Sequence, residues 1–100
     1  MIFVFHLVDR VDAGTLRGDL RPQHKEYLAR VADRIAFAGP LTTADGKTMV
    51  GSLLAIDFDS PADARAWQAN EPFTRAGLYA SVSVLPFQNL WPQKAGFAPS

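Results

Sequence analysis

Two histidines, ten Asp and Glu residues and no cysteine bound the chemistry open to this chain. The first candidate is His24, within the stretch RPQHKEYL at residues 21–28. Histidine takes and releases a proton near neutral pH, so a positioned His24 could act as general acid or base. A carboxylate beside it could orient the ring or titrate with it, and Glu71 is the one that the expected topology brings near. The competing reading is a buried histidine satisfied by a backbone carbonyl. His6 lies mid-strand among aliphatic residues and reads as a core or interface histidine. Arg21 has the fork geometry to grip a substrate carboxylate, or is structural at a helix start. Ser52 follows Gly51 without a Ser–His–Asp framework, so it reads as a hydrogen-bond donor to a ligand rather than a nucleophile. The histidines and carboxylates show no metal-ligand spacing, and the chain has neither a GxGxxG nor a phosphate loop. No metal and no cofactor is expected.

These residues need elements to hold them. Residues 1–9, MIFVFHLVD, are apolar on both alternating faces, which predicts a central strand covered on both sides. Residues 10–20 hold Gly14, Gly18 and several charges and read as a loop. Residues 21–36 read as an amphipathic helix, with Pro22 in its first turn. Positions 24, 28, 31 and 35 share one stripe, which turns His24 inward. Near a helix N-terminus the dipole disfavours imidazolium, favouring a neutral ring. IAFAGPL reads as a strand closed by Gly39-Pro40, and TTADGKT as a hairpin turn with Asp45-Gly46 at its tip. MVGSLLAIDF at 49–58 is the third strand.

Ser60 with Asp63 has the form of a capping box, and Pro61 suits the first helical position of a second helix. Trp67 reads as core, Asn70 to Gly77 as a break, and LYASVSVLPF as the last strand. The order βαββαβ predicts an α+β, ferredoxin-like subunit with a four-stranded antiparallel sheet. That topology gathers His24, Pro40, Ser52 and Glu71 at one sheet edge. Glu71 would follow the exit of the second helix, where the helix C-terminus and partial burial raise a carboxylate pKa. Helices cover one sheet face only. The other is apolar, so a homodimer joined through that face is expected, against the alternative of a greasy monomer.

The bulk composition narrows the partners. One hundred residues, 48% hydrophobic and 20% charged, make one ordinary globular domain. A formal net charge of zero excludes the basic excess of a nucleic-acid or membrane-surface binder. The N-terminus lacks the features of a signal peptide or a spanning helix, and the absence of cysteine suits a cytoplasmic protein.

RPQH, AGPL, GSLLAIDF, the helix with Ala66-Trp67, EPFTRAGLY and SVSVLPF, in that order, resemble the YciI-like (YCII-related) family over about residues 1–88. The resemblance implies a dimeric α+β barrel and an active site centred on a histidine–aspartate pair. On the matching positions the histidine is His24, the preceding arginine is Arg21 and the glycine–serine is Gly51-Ser52. The family aspartate falls where this chain has Glu71, which keeps the charge and reaches about one methylene further. Residues 89–100 lie beyond the resemblance, and Trp91 and Phe97 in that tail could dock on a partner subunit.

Two functional readings follow. In the first, a dimeric enzyme uses His24 and Glu71 to move a proton on a small organic substrate, by elimination or isomerisation, with Arg21, Ser52 and Pro40 shaping the substrate site. In the second, the same pocket binds a small ligand without turnover. A purely structural dimer is the third possibility.

Overall fold

The computed structural model describes residues 1–91. Its elements are β1 (Ile2–Asp9), α1 (Leu16–Ala29), β2 (Ile35–Thr42), β3 (Met49–Asp57), α2 (Pro61–Ala69), α3 (Pro72–Arg75) and β4 (Tyr79–Phe87), with a 3-10 turn at Ala32–Arg34. The four strands form one sheet in the order β2-β3-β1-β4, and every neighbouring pair is antiparallel. This is the expected α+β, ferredoxin-like arrangement.

Alternation along β1 sends Phe3, Phe5 and Leu7 to the helix-covered face, where each is essentially inaccessible. Leu54, Ile56 and Phe58 join them, and Leu28, Val31, Ile35 and Trp67 pack on this core. Trp67 meets Phe5, Phe58 and Tyr27 with ring centroids 5.1–5.7 Å apart. Ser60 caps α2 by accepting the Asp63 amide at 3.1 Å, and Pro61 begins the helix. The β2–β3 hairpin turns at Asp45-Gly46, with Gly46 at φ 75° and the Asp45 carboxylate accepting from Thr43 and Lys47.

The first helix departs from expectation. It starts at Leu16 rather than Arg21 and ends at Ala29. Gly14, at φ 61°, makes the turn that releases the chain from β1, and the helix then runs through Gly18 and Pro22. Pro22 therefore sits in the helix interior. It removes the donor for the Gly18 carbonyl, but both residues are exposed, so water can serve that group. Beyond Ala29, Ile35 pairs with Ile56 in the sheet, and strand pairing overrides the continued helical spacing. His24 accordingly lies in the second half of α1, away from its N-terminus, and the dipole argument for a neutral ring lapses. β2 likewise continues past Gly39-Pro40 to Thr42.

The second sheet face carries no helix. Cross-strand register puts Val4, His6 and Val8 beside Leu53, Ala55, Ser83 and Leu85 on this side. Leu85 and Phe37 are exposed, at 62% and 45%. His6 is exposed too, so in the single subunit it is not a core histidine. Of the two tail residues expected to dock on a partner, Trp91 is exposed in the single subunit and Phe97 lies outside the described residues.

Candidate functional site

β3 carries Ser52 on the helix-covered face, flanked by Leu7 of β1 and Pro40 of β2. α1 crosses above this point and contributes Arg17, Arg21, His24, Lys25 and Leu28 to a cavity of about 300 Å³. Pro40, Ser52, Met49 and Leu54 supply its floor and far wall. Four of the residues singled out from sequence, Arg21, His24, Pro40 and Ser52, thus line one space.

Glu71 stands behind that space. Its side chain is 1% exposed, and Oε1 contacts His24 Nδ1 in a hydrogen-bonded ion-pair geometry. Oε2 accepts from the Thr74 amide at 3.1 Å and, more loosely, from the Thr74 hydroxyl. Glu71 thus stands directly after the exit of α2, its amide donating to the Gln68 carbonyl at 3.2 Å, and is also the N-cap of α3. An ionised carboxylate has acceptor sites for both neighbours at once. The His24 ring lies on Phe73, centroids 4.1 Å apart and 15° from parallel. Carboxylate and phenyl face together fix the imidazole. A carboxylate on Nδ1 takes that nitrogen's proton as donor, which leaves Nε2 as the exchangeable nitrogen. Nε2 has no hydrogen-bond partner among the described residues and is not sealed from solvent.

A second polar chain runs beside this pair. Arg17 binds Asp9 through both Nε and Nη2 at 2.7 Å, and Nη2 also donates to Ser52 Oγ at 3.1 Å. Its guanidinium lies over Phe73, 4.8 Å from the ring centre. Burial works against the Arg17 charge, but the hydrogen bonds and charge of Asp9 outweigh it and hold the group above its ordinary pKa. Ser52 Oγ then meets the Tyr79 hydroxyl at 3.4 Å. Burial pushes the Tyr79 phenol well above its ordinary range, helped by the charge of Glu71 and opposed by the Ser52 contact. Arg17, Asp9, Phe73 and Tyr79 were missed in the sequence. Arg17 was hidden by the loop-like Gly14 and Gly18. With the helix started at Leu16, it falls at i−4 from Arg21 and i−7 from His24, on the cavity side.

A family model of the YCII-related domain matches residues 1–88. The chain belongs to the YCII-related family. Among relatives, Protein YciI of Escherichia coli O6:H1 is 32% identical over 98 residues, covering 91% of this chain and all of that one. An uncharacterized protein of Haemophilus influenzae is 29% identical over 98 residues, with the same coverage. Among solved structures, 5-chloro-2-hydroxyhydroquinone dehydrochlorinase (TftG) from Burkholderia phenoliruptrix, in complex with 2,5-dihydroxybenzoquinone, superposes with a TM-score of 0.83. It is 32% identical and the match covers 88% of this chain and 94% of that one. This YCII-related chain therefore shares its fold with a small-molecule enzyme. Among the described residues no three His, Asp or Glu side chains are grouped as metal ligands, and no helix is long and apolar enough to cross a membrane.

Proposed function

We propose that the chain is a small-molecule lyase or isomerase in which His24 Nε2 moves a proton on a substrate held in the cavity. The observation that carries this reading is the His24 ring itself. It is clamped between the Glu71 carboxylate and the Phe73 face, with its second nitrogen unpaired beside a small cavity. A ring fixed in this way meets the geometric demand on a general base. Glu71 holds the tautomer and balances the imidazolium that forms. Ser52, with Arg17 and Asp9 behind it, and Arg21 at the rim position the substrate, and Pro40 shapes the wall.

In an elimination, Nε2 takes one substrate proton, the freed electron pair forms a double bond, and the leaving group departs as an anion with its own bonding pair. In an isomerisation, the same proton returns at another atom. Neither route needs an oxidant. The dehydrochlorinase named among the similar structures supports elimination, because loss of HCl has this balance.

The subunit is proposed to work as one domain over residues 1–88 and to pair with a second copy through its bare sheet face. The test is to incubate the protein with 5-chloro-2-hydroxyhydroquinone and follow chloride release and ring absorbance. Release at a rate that requires His24 supports the reading. Binding of the compound without release favours a ligand-binding module instead.

A further inference from the structure

The cavity has a charge signature that acid/base chemistry alone does not call for. Arg17, Arg21 and Lys25 are spaced i, i+4, i+8 along α1, and all three line it. Asp9 matches Arg17. Glu71 is committed to His24 and Thr74. Arg21 and Lys25 have no acidic partner among the described residues, and no Asp or Glu stands three or four residues from either. Like charges at i, i+4 destabilise a helix. With Arg17 matched by Asp9, the pair Arg21–Lys25 remains uncompensated and runs against local stability, and such local conflicts belong at functional sites. Elsewhere, Arg10, Arg30 and Arg34 each stand beside a carboxylate, while Lys47, Arg65 and Arg75 are single cations outside this cavity.

Ser52 adds direction. Its Oγ accepts from Arg17, so its own hydrogen is left to be donated. The Tyr79 oxygen, at 3.4 Å, is a long and weak acceptor for it. The remaining lining, Leu28, Met49 and Leu54, is apolar. A volume of about 300 Å³ is at the small end of ligand pockets.

We propose that this cavity selects a small planar ring compound carried as an anion. Its charged oxygen is held by Arg21, Lys25 and the Ser52 hydroxyl, and its ring lies on the apolar wall. The inference rests on the proposed substrate site and names its substrate class. The shared chemistry is a ring-bound anionic oxygen, whether carboxylate or acidic ring hydroxyl. Arg21 and Lys25 also raise the local concentration of such anions by charge alone.

Two matched pairs of probes test it by calorimetry. The carboxylate arm compares 4-hydroxybenzoate with 4-hydroxybenzamide. The ring-oxygen arm compares 4-nitrophenolate with 4-nitroaniline at pH 8. At least one anion is expected to bind about tenfold tighter than its neutral counterpart, and Arg21→Gln with Lys25→Gln to remove most of that preference. Raising the salt concentration weakens the same preference. The inference is overturned if neither anion binds better than its neutral match, or if the double variant leaves the ratio unchanged. His24→Asn separates the two claims, since it is expected to keep the anion preference. A chain that turns substrate over through His24 yet shows no anion preference overturns this inference alone.

Discussion

Glu71 is the residue at which orientation and chemistry can be separated. Being 1% exposed and turned from the cavity, it acts on a substrate only through His24. Glu71→Gln keeps an acceptor for Thr74 but removes the charge that balances an imidazolium. It is expected to lower kcat by about 10²-fold or more with little change in KM. Glu71→Asp keeps the charge but shortens the arm, so it cannot span His24 and Thr74 equally well. Its expected loss is smaller, and kinetics on both variants check the ranking. Phe73, fully buried beneath His24 and Arg17, is a packing residue, and Phe73→Ala should cost about 3–5 kcal/mol in urea unfolding. The tyrosines offer a titration. Burial raises both Tyr27 and Tyr79, the only two in the chain. A raised folded pKa means that the neutral phenol is favoured in the native state. The stability this contributes is complete below about pH 10, the ordinary phenol value, and is lost as pH climbs above it. The folded protein should therefore develop tyrosinate absorbance at higher pH than the urea-unfolded chain, and coincident curves would contradict the burial.

The elements show which signals in the sequence were strong enough to read. β1, the Asp45-Gly46 hairpin and the Ser60 cap follow local rules that nothing in the tertiary structure opposes. α1 does not. Gly14, Gly18 and Pro22 punctuate GTLRGDLRPQH as a loop and helix start, yet the helix passes through two of them because its inner stripe packs on the sheet. That shift of five residues moved His24 from the helix start into its second half and concealed Arg17. α3 has only four residues, too short to show a period, so Glu71 is legible as the residue at the exit of α2, where it stands, but not as the cap of α3. His24, Glu71, Ser52 and Pro40 still converge, because the strand order and the α2 exit that bring them to one sheet edge are as expected. Gly51 tests the packing of the central strands. A Cβ there would meet the backbone carbonyl of Leu7 well inside van der Waals contact. Gly51→Ala should therefore cost at least about 1–3 kcal/mol, read in the same unfolding experiment.

At the scale of the whole molecule, the uncovered sheet face is where the proposed pairing would form. Val4, Leu53 and Leu85 lie together there, with His6 as the ionisable group among them. A second copy placed on this face would complete the burial that the helices give the other one. Leu85→Lys is expected to shift the protein from dimer to monomer in sedimentation velocity while the secondary structure persists. A parent chain that sediments as a monomer would contradict the proposed pairing. The catalytic proposal is argued from the contacts of His24 with Glu71 and Phe73, not from that pairing. Its most direct test is the chloride-release assay run on the parent chain and on His24→Asn side by side, with ligand binding measured on both. The account predicts that the parent releases chloride and that His24→Asn binds but releases it about 10²–10⁴-fold more slowly. Equal rates from the two proteins, or no release from the parent, would contradict it.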